Sequence, residues 1–282
     1  MAPMRFPTKV LSIGFLCAVG LASAVGAQRG RNAPTGPAKP TPRWPDGHVN
    51  LGSVPGEPGF WAGGGGRLVV NPNSYEPDST RSAPVHIDDA PIQPWAKALT
   101  NFRHQNVLAD EPHTRCKPSP GPRQFVTPYG TEIVEMPELQ RIYIFDVGGP
   151  HTFRIVYMNA QHPPASALTP TYYGHSVGRW DGDTLVIDSI GFNERAWMNR
   201  DGIPHTDQLH LVERLSRPDS NTLKYDITID DPGVFTKPWD TGFSLGWSAG
   251  TEMFEYVCQD NNHAPEMMVG TEGLLRHSRI SP

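Results

Sequence analysis

From Thr131 to Cys258 the chain runs as short stretches of alternating apolar and polar residues, each closed by turn residues, with no helical pattern between them. That absence constrains the fold most. Without a helix of 10–15 residues after each strand, a parallel βαβ sheet cannot be built, so the strands are expected to pair antiparallel. The runs are 131–136, 140–146, 151–158, 172–180, 183–191, 208–216, 222–230 and 250–258. Two hairpins stand out. In Arg179-Trp180-Asp181-Gly182-Asp183-Thr184-Leu185 the Asp-Gly pair suits a two-residue turn with positive φ. Between Leu215 and Leu223, the residues Pro218, Asp219 and Asn221 make a longer turn.

Successive antiparallel strands have two good solutions, a β-sandwich or an antiparallel up-and-down, lipocalin-like barrel. Closure removes exposed edges, and a barrel of about eight strands is the size that holds one small ligand, so the barrel is preferred for a β domain over 126–282. Residues 28–125 read as a Pro/Gly-rich arm packed on that domain. Pro34, Pro37, Pro40, Pro42 and Pro45 fall too close together for a helix or a central strand. Gly63–Gly66 is expected to be a linker, because Arg67-Leu68-Val69-Val70 looks like a strand and not the helix that a phosphate cradle needs. One short helix is expected near 93–108, where Trp95, Leu99 and Phe102 recur at helical spacing and would pack on the domain.

Residues 1–27 have the layout of a secretory signal. Arg5 and Lys9 precede the apolar run Val10–Gly20, and small-residue cleavage sites end at Ala24 and Ala27. The expected location after cleavage near Ala27 is periplasmic or secreted, with no later apolar stretch long enough to span a membrane. The formal net charge of −5 argues against a nucleic-acid partner, which requires a basic face. Removal of the signal takes Cys17 with it and leaves Cys116 and Cys258. In an oxidising compartment these are expected to pair, the alternative being two separate buried thiols.

Several stretches carry a resemblance. They are Pro45-Asp46-Gly47 with Leu51-Gly52, Arg115-Cys116-Lys117-Pro118, and the run from Gly174 to Leu185. Pro204-His205, Leu209-His210, Glu213-Arg214, Asp230-Asp231-Pro232, Lys237-Pro238-Trp239 and Glu255 with Cys258 follow. On these the chain resembles a group of exported proteins of soil and environmental bacteria. The resemblance implies a shared architecture and brings no activity with it.

The candidate chemistry lies on a few side chains. Gly174-His175-Ser176-Val177-Gly178 fits the G-x-S-x-G pattern of a nucleophile elbow, but Arg179 to Asp183 leads into a turn and another strand instead of a helix. If 207–215 is one strand, Asp207, Leu209, Leu211, Glu213 and Leu215 share its apolar, inward face. An inward carboxylate needs a cation such as Arg154 or Arg179, or it is an acid or base of raised pKa. An enzyme on this scaffold, a hydrolase or lyase, would draw on His175, Ser176, His205, Asp207 and Glu213. His205 and His210 are five apart and so face opposite ways on a strand, and the histidines lack a zinc-helix spacing; no metal ligand is assigned and no motif requires a cofactor. Arg179, Tyr173, Trp239 and Trp247 are candidate ligand-binding residues, the two tryptophans flanking a glycine-containing loop 240–250 that would act as a lid. Three functions remain open: a barrel binding a small, partly apolar molecule, an acid–base enzyme at the barrel mouth, and a structural envelope protein.

Overall fold

The computed structural model describes residues 37–62, 67–69, 85–105, 110–127, 129–146 and 152–258. The expected signal segment 1–27 and the glycine run Gly63–Gly66 lie outside the described residues. The elements in order are β1 (Gly59–Trp61), α1 (Pro94–Gln105), α2 (Arg123–Val126), β2 (Thr131–Met136), β3 (Arg141–Asp146) and β4 (Phe153–Met158). They continue with β5 (His175–Asp181), β6 (Thr184–Ile190), β7 (His210–Asp219), β8 (Thr222–Asp230) and β9 (Trp239–Ala249). The nine strands close into one barrel in sequence order, so the sandwich alternative does not hold.

Closure comes from the arm. β1 lies between β2 and β9, pairing Trp61 with Thr131 on one side and with Trp247 on the other. The Pro/Gly-rich segment is therefore partly built into the barrel wall. One joint departs from the up-and-down pattern: β4 and β5 run parallel, with Val156 opposite Ser176 and Tyr157 opposite Val177. The chain between them, 159–174, is long enough for a crossover; its Pro163, Pro164 and Pro170 disfavour strand and α-helix, and it holds only a 3-10 turn at Ala165–Ala167.

Turn chemistry sets the hairpins. In β5–β6, Asp181 pairs with Thr184, and Gly182 takes φ +57° at the first central position, the conformation that a tight hairpin demands. In β7–β8 the turn is shorter than expected. β7 continues through Pro218 to Asp219, which pairs with Thr222, and the register shifts between Ser216 and Asp219. Such a bulge accommodates a proline, which has no N–H to give to the ladder.

Three other expectations are corrected. Residues 240–250 are not a lid, because β9 runs through them from Trp239 to Ala249. No strand forms at 250–258, which is an extended stretch ending in a turn at Cys258. Arg67–Val69 is a buried bend. The helix is present as α1, but its packing face is Ala96, Thr100 and His104, while Trp95 and Phe102 are 47% and 46% exposed.

The interior follows strand parity. Ile133, Ile142, Ile144, Val156, Leu185, Ile187, Leu211, Leu215, Leu223, Ile227 and Leu245 form one buried cluster with Tyr225, Phe243 and Trp247. Phe125 of α2 packs against Tyr225 at 4.7 Å. Cys116 and Cys258 form the expected disulfide, which ties the segment before α2 to the chain after β9.

Candidate functional site

The named site residues do not meet in one pocket. They divide among the lumen, the outer wall and the end of the barrel, and the division follows strand direction.

Glu213 points into the lumen and is fully buried. Arg154 of β4 donates to it twice, at 2.6 and 3.1 Å, and the Tyr225 hydroxyl donates to it at 2.8 Å. Desolvation pulls the Arg154 pKa down, but the adjacent Glu213 charge and its hydrogen bonds outweigh it, and the net shift is upward. Burial pushes the Tyr225 phenol well above its ordinary value, and the Glu213 charge adds to this. An inward carboxylate with an arginine against it is one of the two arrangements that parity allows. Ser176 also faces inward, where its hydroxyl lies 2.7 Å from that of Ser189. Among the described residues its hydroxyl bonds no histidine, and the chain runs on in β5 and its hairpin instead of into a helix.

Asp207 is exposed, in the turn before β7. His205 is buried in the loop leading to that turn, with Nδ1 3.3 Å from the Thr206 carbonyl and its ring edge-on to Phe192. Burial lowers its pKa. Tyr173 hydrogen-bonds to Thr152 and donates to the buried Asp146 at 3.4 Å. Arg179 is exposed on the outer face of β5. Trp239 is buried against Phe235, 5.3 Å between ring centroids.

His175 faces outward, and here the structure assembles a group that residue spacing did not reveal. The crossover segment brings His162 alongside, its Nδ1 2.9 Å from His175 Nδ1 and its Nε2 3.0 Å from Asp188 Oδ1. His210 Nε2 lies 3.1 Å from the same oxygen. Tyr157 stacks on the His175 ring at 5.0 Å. Since the carboxylate can only accept, His162 donates to it through Nε2–H, and a neutral His162 accepts at Nδ1 from His175. That leaves the His175 Nε2 lone pair as the basic end of the chain. Desolvation lowers the His175 pKa, and the nearby His162 lowers it further. The hydrogen bonds from Asp188 through His162 to His175 make this set a proton chain.

Trp247 lies at the end of the barrel where the arm crosses it. A groove of about 480 Å³ opens there, lined by Pro37, Pro40, Pro42 and Pro58 of the arm and by Arg217, Ser220, Asn221 and Trp247 of the barrel. The arm is held over it by the Lys39 and Ser220 main chains, paired at 2.9 Å, and by the Thr41 hydroxyl on the Arg217 carbonyl at 2.8 Å. Arg217 lies 4.8 Å from the ring centroids of both Trp61 and Trp247. It donates at 2.8 Å to the carbonyls of Asn50, Gly52 and Ser220. Desolvation brings its pKa down to about 10, against the opposing charge of Asp219. The arm prolines carried no sequence signal for this site. For Arg217 the available signal was parity, since it shares odd numbering with Leu211, Glu213 and Leu215 on the inward side of β7.

No family model matches the chain, and neither a curated protein nor a solved structure matches it.

Proposed function

We propose that this protein binds a small, partly apolar molecule outside the cytoplasm, in the groove between the Pro-rich arm and the end of the barrel. The groove carries the reading. Its volume of about 480 Å³ falls within the usual range for small-molecule sites. Its walls combine proline rings and an indole with a few polar groups, the mixture that holds an apolar body and fixes its orientation. The disulfide and the signal-like start of the chain support the location. A thermal-shift screen of small apolar compounds tests the binding. A ligand at about 100 times its Kd should stabilise the protein by about 2.7 kcal/mol. In Ala249→Trp, which fills the groove from an exposed position, that stabilisation should vanish while the unliganded melting temperature stays close to wild type. Equal stabilisation of both proteins would place binding elsewhere.

A second reading, an acid–base enzyme, is favoured by one observation: the chain from Asp188 through His162 to His175 at the outer wall. His175 would take a proton from water or substrate at Nε2 while Asp188 stabilises the resulting charge through His162. Its pKa lies below the ordinary 6.5, so it is unprotonated at neutral pH, and activity should fall only as pH drops through that lowered value. In assays of ester hydrolysis, His175→Ala should cost about 10²–10⁴-fold. An acid limb unchanged in that variant would remove His175 from the chemistry.

A further inference from the structure

We propose that the groove takes a small organic monocarboxylate with a flat or cyclic apolar body, its anion toward Arg217 and its body between Trp247 and the arm prolines. This rests on the binding reading above and names the class of ligand.

The charge balance around Arg217 carries the inference. The residue is 5% exposed, and its side-chain hydrogen bonds go to three backbone carbonyls. Carbonyls satisfy donors but bring no net negative charge, so the buried cation is left without an ion-pair partner among the described residues. A buried charge in that state is costly, and an anion brought beside it recovers part of the cost. Two other charged residues line the groove, Lys39 and Glu57, and these pair with each other at 3.1 Å. Asp219, the acid that acts on Arg217 through space, has its Oδ1 engaged by the Asn221 N–H at 2.8 Å. Asp219 already offsets part of the Arg217 charge through space, so what remains is at most one positive charge, which favours a singly charged carboxylate over a doubly charged phosphate.

The remaining walls narrow the class. Asn221 accepts at Oδ1 from the Ser220 hydroxyl at 3.0 Å, which directs its Nδ2 away from Ser220. Nδ2 makes no hydrogen bond among the described residues and, on a residue that lines the groove, would donate to a carboxylate oxygen. Pro37, Pro40, Pro42, Pro58 and Trp247 offer apolar faces of fixed shape, which suit a ring better than a flexible chain. Alternation along β7 turns Arg217 to the same inward side as Glu213 and Leu215, beside the indoles of Trp61 and Trp247.

Calorimetry decides it, with benzoate and cyclohexanecarboxylate set against benzamide, cyclohexanecarboxamide and inorganic phosphate. The carboxylates should bind at least about 10-fold more tightly than the amides and than phosphate, with affinity falling as salt rises. Asn221→Ala, at the groove rim, should weaken the carboxylates several-fold and leave the amides unchanged. Arg217→Gln, checked for folding by circular dichroism, should erase the preference. Amides that match the carboxylates, with both lost in Ala249→Trp, would overturn the carboxylate class and leave groove binding standing. Phosphate binding as tightly as benzoate would overturn the class as well. Compounds that bind equally to wild type and Ala249→Trp would overturn both readings.

Discussion

A carboxylate at the centre of a barrel persists only with a cation or a donated proton against it. Glu213 has Arg154 and the Tyr225 hydroxyl, and the three groups bridge β4, β7 and β8 across the lumen. Glu213→Gln keeps the size of the side chain but leaves Arg154 buried and unpaired, so unfolding free energy should drop by about 3–5 kcal/mol in urea titration. The double change Glu213→Leu with Arg154→Met should cost much less, because no charge is then left buried alone. A Gln variant as stable as wild type would mean that the pair contributes no stability. Glu213 could be read from alternation along its strand; Asp207 could not. β7 begins only at His210, and Thr206, whose hydroxyl is held by Asp231, starts a turn in which the Leu209 N–H bonds the Thr206 carbonyl. Parity has no meaning across that turn, so Asp207 is exposed although it shares odd numbering with Glu213.

At the scale of elements, local chemistry settles what is local. Period-two alternation located β2, β3, β4, β6, β7 and β8 nearly to their ends, and Gly182 its hairpin. β9 is not legible in the sequence because Gly242 and Gly246 interrupt its alternation. Gly242 is there for a cross-strand reason: a Cβ at that position would stand 2.6 Å from the Tyr225 carbonyl oxygen of β8. The α1 stripe misled in the opposite direction. Trp95, Leu99 and Phe102 have the spacing of a packing face, but the helix lies close enough to the loop at 199–203 that only Ala96, Thr100 and His104 fit beneath it. Arg103 reaches the Gly202 carbonyl at 2.5 Å and covers Trp197 at 4.4 Å, holding the helix in that orientation.

At the scale of the molecule, the chain is closed twice. β1 joins β9, and the disulfide joins residues separated by 142 positions in sequence. In the chain-entropy model a loop of that length is worth up to about 5 kcal/mol, because the oxidised unfolded chain has fewer conformations to regain. Reduction under non-denaturing conditions, or Cys116→Ser with Cys258→Ser, should therefore lower the unfolding midpoint by up to about 10–20 °C while strand content by circular dichroism is retained. A midpoint unmoved by reduction would mean that the reduced unfolded chain keeps its ends together by other contacts.

By itself the sequence determined the class of fold, the inward side of most strands, the burial of Glu213, and the two cysteines free to pair; that Arg154 is what faces Glu213 came from the structure. These depend on alternation, turn residues and valence, all properties of short stretches of chain. Tertiary structure alone decided the parallel joint of β4 and β5, the closure by β1, and which polar residues meet. His162 reaches Asp188 only because the crossover folds back over β5 and β6. Arg217 lies against Trp61 only because the arm returns to complete the barrel. Contacts between distant segments depend on how the whole barrel closes, and no pattern within either segment contains that information.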